Sequence, residues 1–244
     1  MILSDKYRFV FVQVPHTGST GIGDFLIAKF SGRRILSKHS YLNELKWRFP
    51  HEFQSYFVVG GVRNPLDDRV SMYFKIRNDH LGLYSGNVQV PGYRPAGHRA
   101  RRIFRDINEN NLSFSQYFLK YVRNVYYSPI SILRDRYNLV YKFENIDGGL
   151  RLFFKEIGVT APNLKPSNST SGRSKSFAQY YDAEARQHAV RVFGPFMSEF
   201  DYQFPCDWPI NKFPSLPDRA LGKVVSYGKF SLHTARNLAR RSSY

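Results

Sequence analysis

Short apolar runs alternate along the chain with segments of helical period. Phe9, Val10, Phe11, Val12 and Val14 form a β-branched and aromatic run of strand length, and Pro15 stops it by lacking a ladder donor. Ile22, Phe25, Leu26 and Phe30 then recur at helical spacing, which predicts a helix beginning at Ser19 or Thr20. Ser40 to Phe49 reads as a short helix that Pro50 ends. Tyr56 to Val59 is a second buried strand, closed by Gly60 and Gly61. Pro65 suits the first turn of a helix whose apolar face carries Val70, Tyr73, Phe74 and Ile76. Leu112 to Val125 is helical with Ser113 as cap. Asn138 to Phe143 is a third strand, Ile146 to Ile157 a helix stopped by Gly158, and Tyr180 to Met197 a helix as far as Gly194 and Pro195.

Alternation of strand and helix with apolar strands predicts an α/β fold, a mainly parallel sheet flanked by helices. Ligands of such sheets sit at the carboxyl ends of the strands. Pro15 to Gly21, Arg63 to Ser71 and Glu144 all emerge there. Two segments break the alternation. Leu81 to Arg105 is punctuated by glycine and proline and reads as a long basic flap or surface insertion. From Cys206 the prolines recur and the period fades. Arg219 to Tyr244 has no acidic residue and reads as a basic tail, helical or disordered. The expected organisation is one domain over 1–205, with the flap at 81–105, and a basic extension over 206–244.

Charge narrows the partner. Lys+Arg 36 against Asp+Glu 19 gives a net charge of +17, which calls for an anionic partner: a nucleotide, an acidic or sulfated glycan, a nucleic acid or an anionic membrane surface. No nucleic-acid module signature accompanies the charge. With one cysteine there is no disulfide framework or paired-cysteine metal site within the chain, and no H-E-x-x-H-type ligand spacing occurs, so no metal is expected. No signal peptide is evident and no apolar run nears the ~18 residues of a membrane span. A soluble, cytoplasmic protein is the expectation, with a trimmed membrane-anchored parent as the alternative.

Two stretches carry chemistry. Pro15-His16-Thr17-Gly18-Ser19-Thr20-Gly21 joins a strand to a helix start, where free N–H groups and the helix dipole favour an anion. It is not a nucleotide-triphosphate loop, because Asp24 and Phe25 stand where lysine and Ser/Thr would follow Gly23. Arg63 leaves the second strand, and Ser71 follows eight positions later on the next helix, a spacing that suits a fork and a neutral donor on one phosphate.

Together these motifs resemble those of the sulfotransferases that use 3′-phosphoadenosine 5′-phosphosulfate (PAPS). Pro15 to Thr20 is similar to that family's 5′-phosphosulfate loop, and Arg63-Asn64-Pro65-Leu66-Asp67 with Ser71 to its 3′-phosphate motif. Lys38-His39-Ser40 resembles a segment of the carbohydrate-type branch, Lys142 to Ile146 the R-F-E-N-L segment, and Asn168 to Arg173 a later loop over the nucleotide. Glu199 to Tyr202 loosely resembles the closing region. The resemblance covers about Tyr7 to Phe204. It implies a P-loop-like sulfotransferase fold and transfer of a sulfuryl group from PAPS to a hydroxyl, most plausibly of a glycan. His16 and the Thr17–Thr20 loop would hold the 5′-phosphosulfate, Arg63 and Ser71 the 3′-phosphate, and Arg173 that phosphate or the adenine. His39 would be the general base, with His51, His80, His98 and Glu144 as the other candidates; Glu144 reads equally as a structural residue holding an arginine or a backbone N–H. The chain departs from the family at His16, where a lysine is the rule. An anionic donor would favour its charged form, and Lys29 and Lys38 are possible substitutes. Two other readings stay open: a fold member that binds nucleotide but transfers weakly, and a basic protein that binds nucleic acid or an anionic surface.

Overall fold

In the computed structural model, which describes residues 1–91, 93–160, 176–210 and 213–241, the chain forms two compact units. The first comprises Met1–Asn64, Tyr126–Ser167 and Ala220–Tyr244; the second comprises Pro65–Val125 and Asn168–Arg219.

The first unit is an α/β layer structure. Its strands are β1 (Ile2–Ser4), β2 (Phe9–Val12), β3 (Arg33–Arg34), β4 (Phe57–Val62) and β5 (Leu139–Lys142), in the sheet order β3-β1-β2-β4-β5. β2, β4 and β5 are parallel neighbours, while β1 runs antiparallel to both β2 and β3. The sheet is therefore mixed, with a parallel centre. The antiparallel edge went unread in the sequence because its strands are three and two residues long, too short for a period to register.

Side chains alternate across the pleat. Phe9 and Phe11 of β2, Val59 of β4 and Tyr141 of β5 join Ile22 and Leu26 of α1 (Ser19–Lys29) in one buried cluster, together with Leu150, Phe153 and Phe154 from a helix that follows β5. On the opposite face, Tyr137 and Ile130 close on Gly60. Gly60 and Gly61 thus lie inside β4 instead of closing it. A Cβ on Gly60 would stand 2.8 Å from the Tyr137 ring and one on Gly61 2.4 Å from the Tyr141 ring, so absent side chains are what let the tyrosines pack. Pro50 also departs from expectation: it follows α2 (Leu42–Arg48) but opens α3 (Pro50–Ser55), where its missing N–H costs nothing.

The second unit is helical. α4 (Pro65–Arg77) starts at the proline as predicted, and α5 (His98–Glu109) takes up the last third of the supposed flap and continues past it. α6 (Phe114–Tyr121) is capped by Ser113, whose Oγ accepts from the Gln116 N–H. After β5 the first unit adds α7 (Ile146–Glu156), and the second adds α8 (Ala183–Glu199), which runs through Gly194 and Pro195 because Phe193, Phe196 and Met197 bury its apolar face. Tyr73, Phe114, Phe118, Tyr181 and Phe193 pack in one aromatic cluster, and the Tyr181 hydroxyl donates to the Leu66 carbonyl. The basic tail is α9 (Leu216–Arg241), a 26-residue helix, so the disordered alternative falls away for these residues. Among the described residues no helix is long and apolar enough to cross a membrane.

Candidate functional site

The site is built on the carboxyl ends of the parallel strands β2, β4 and β5. After β2 the chain turns sharply: His16 and Gly18 both have left-handed backbone, φ 65° and 71°, before α1 begins at Ser19. A histidine at positive φ is uncommon, and such conformations concentrate at functional turns. The turn is braced from within. Thr17 Oγ1 and Ser19 Oγ both donate to the Val14 carbonyl, at 2.8 and 2.7 Å, and both residues are buried. Their hydroxyl protons shape the loop. The groups placed to meet an anion include the backbone N–H groups of the first turn of α1, beside exposed Thr20 and Gly21 and half-buried His16. Gly18 is the N-cap without a side-chain cap.

Gln13 escaped the sequence reading. It is 4% exposed, a buried amide in an apolar run, and that contrast was the available signal. Its Nε2 donates to the Ser19 carbonyl (3.1 Å), fixing the start of α1. Its backbone carbonyl accepts from His39 Nδ1 (2.8 Å). A carbonyl only accepts, so this bond places the proton on Nδ1 and leaves Nε2 as the basic nitrogen of the neutral ring. His39 is exposed as a residue, yet the partial burial of its ring lowers its pKa. The Gln13 bond opposes that shift, and the charges of Lys38 and His16 reinforce it. Gly23 makes room for Gln13, since a Cβ there would lie 2.6 Å from its Nε2. Tyr141, likewise unread, reaches up from β5 so that its hydroxyl donates to the Thr17 carbonyl (3.1 Å).

Arg63 follows the last residue of β4. Its guanidinium stacks on the Phe143 ring (4.8 Å) and its Nη1 reaches the His16 carbonyl in a long contact of 3.5 Å. The first loop and the second motif thus meet at one arginine, as parallel neighbouring strands require. Glu144, just past β5, accepts the Asn64 N–H at 2.8 Å. That is the structural alternative for Glu144, a carboxylate steadying the residue after Arg63.

Beside the loop lies a cavity of about 330 Å³, lined by Met1, Gln13, Thr20, Asp24, Arg34, Leu36 and Lys38. That is at the small end of the range for small-molecule sites. Arg34 and Asp24 pair in its wall at 2.6 Å, and Lys38, one of the proposed substitutes for the missing lysine, lines it together with Thr20. Lys29 closes α1 in its last turn and is absent from this lining.

The other candidates lie on other elements. Ser71 is buried on α4 in the second unit. His51 packs edge-on against Tyr56, while His80 and His98 belong to the second unit. Arg173 and the Asn168–Arg173 stretch lie outside the described residues. Substituting Gly18 by alanine is expected to cost about 1–2 kcal/mol, since φ 71° disfavours any Cβ and the added methyl would stand 2.9 Å from Ile146 Cδ1. Chemical denaturation of Gly18→Ala checks this. A scan of the chain against family models, curated proteins and solved structures returned no match.

Proposed function

We propose that the protein is a PAPS-dependent O-sulfotransferase acting on a hydroxyl of a carbohydrate acceptor. The observation that carries this reading is the junction at Arg63: an anion-suited turn after β2 and an arginine after the parallel neighbour β4 are joined through the His16 carbonyl. A donor phosphorylated at both ends needs two anion sites, one at a helix start and one with a guanidinium fork. Here the α1 start and His16 take the 5′-phosphosulfate. Arg63 takes the 3′-phosphate.

In this reading the acceptor oxygen attacks sulfur as the bond from sulfur to the 5′-phosphate oxygen breaks. The acceptor proton passes to His39 Nε2, whose lone pair is fixed by the Nδ1–H bond to Gln13. Charge builds on the leaving phosphate, where His16, Lys38 and the α1 N–H groups oppose it. The product nucleotide is adenosine 3′,5′-bisphosphate.

The test is transfer of radiolabelled sulfate from PAPS to a panel of glycan and phenolic acceptors. Because His39 titrates below the ordinary histidine value of 6.5, its base form persists at pH 7, and the rate falls only as the pH drops through that lowered pKa. His39→Ala should remove this acid limb and lower kcat by about 10²–10⁴-fold. An unchanged acid limb in His39→Ala overturns the assignment of the base, and no transfer to any acceptor by wild type, despite bisphosphate binding, leaves a nucleotide binder.

A further inference from the structure

We propose that α9 is a membrane-surface helix, docking the protein on anionic lipid through a stripe that faces away from its own domain. From Ala220 onward the helix belongs to the first unit, and its inner face is well partnered there. Phe230 and His233 pack on Tyr41, and Thr234 Oγ1 donates to Asn43 Oδ1 at 3.1 Å. Asn237 Nδ2 reaches both oxygens of Glu44 at 3.1 and 3.2 Å. Ser226 and Thr234 are buried on that same face.

The outer face is the anomaly. At about 100° per residue, Leu221, Val224, Gly228, Leu232, Ala235 and Ala239 fall within one stripe about 80° wide, opposite the face that carries Ser226, Phe230 and Asn237. Leu221, Val224 and Leu232 are 56%, 70% and 59% exposed. A docked helix ordinarily turns polar residues outward; here the packed face is largely polar and the outward face apolar, which leaves the apolar stripe without a partner among the described residues. Exposed Lys229 and Arg236 border the outer stripe on one side. On α2, Trp47 sits one turn beyond Asn43, on the side of that helix that holds α9, and is 74% exposed.

Charge selects the occupant. From Arg219 to Tyr244 there is no acid, in a chain of net charge +17, so a second copy would bring two cationic helices together. An anionic bilayer offers both things the stripe wants: negative headgroups for Lys229 and Arg236, and an apolar boundary for the leucines and valine. The inference stands independently of the sulfotransferase reading.

The experiment is co-sedimentation of the full chain with phosphatidylcholine vesicles, with and without one-third phosphatidylserine, over a salt series. Wild type should bind only the anionic vesicles and keep part of that binding at salt that screens charge. The variant Leu221→Ser, Val224→Ser, Leu232→Ser keeps every charge and leaves the packed face intact. It should bind at least about tenfold more weakly, with an unchanged melting temperature. Wild type that stays in solution, or a triple variant that partitions like wild type, overturns the proposal. So does vesicle-independent self-association that the same variant abolishes, which would make the stripe a contact between copies.

Discussion

Arg63→Ala is expected to abolish the advantage of adenosine 3′,5′-bisphosphate over 5′-AMP as a stabilising ligand. The guanidinium stacks on Phe143 and reaches the His16 carbonyl in a long contact, among its contacts in the free protein. The comparison of two nucleotides isolates the phosphate from these contacts, because each shift is measured against the same variant without ligand. A hydrogen bond to a charged group contributes about 1.5–3 kcal/mol, or roughly 10–150-fold in affinity. Bound ligand raises the melting temperature in proportion to RT ln(1 + [L]/Kd), so thermal shifts at matched concentrations read this out directly. Wild type should be stabilised more by the bisphosphate than by 5′-AMP, and Arg63→Ala equally by both. Arg63→Lys should recover only part of the difference, because an ammonium keeps the charge but not the fork. If wild type responds equally to the two nucleotides, the 3′-phosphate assignment fails, whatever Arg63 does.

Much of this site was legible because it is local. The strand, the turn and the helix that follow one another from Phe9 to Lys29 are contiguous, and their hydrophobic period changes abruptly at Pro15. The positions of Arg63 and Glu144 at strand ends follow in the same way, and α4 begins at the proline that announced it. What escaped depends on long-range packing. The fixing of the His39 tautomer by the Gln13 carbonyl joins residues 26 positions apart, and the Tyr141 bond to Thr17 spans 124. No window of sequence holds either pair.

Other misreadings have their own physical causes. In α5 only Ile103 and Ile107 are buried, and two anchors one turn apart amid five arginines and histidines do not establish a helical period. Gly60 and Gly61 look like a strand end because glycine usually punctuates; here two tyrosines occupy the space of the missing side chains. α9 was ambiguous because its inner face is held largely by polar groups, Ser226, Thr234 and Asn237, which carry no hydrophobic signal. The sheet was expected to be mainly parallel, and the strands that carry the site are; the antiparallel pair lies at the far edge.

The largest effect on the fold is expected from Gly61→Ala. Tyr141 lies between two glycines: a Cβ on Gly61 would stand 2.4 Å from its Cζ, and one on Gly149 2.3 Å from its Cβ. The ring has no room to retreat. It is 2% exposed, stacked parallel to Phe11 at 6.4 Å, and tied by its hydroxyl to the Thr17 carbonyl. Burial also pushes the phenol pKa far up, so it remains a neutral donor across the working range. Overpacking a core position costs about 1–3 kcal/mol, and a glycine of an interior strand set against a fixed ring places this substitution at the upper end. For a chain of this length that is a fall of about 6–12 °C in melting temperature. The damage should also reach the ligand. If the ring moves, Thr17 loses its donor and the turn that carries His16 and Gly18 loosens, so bisphosphate stabilisation should shrink as well. A double-mutant cycle separates this clash from a general intolerance of β4 to side chains. In a Tyr141→Leu background, Gly61→Ala should cost much less than in wild type. An equal cost in both backgrounds would show that Gly61 is needed for some reason other than the ring, and would uncouple the glycine pair of β4 from the anion loop.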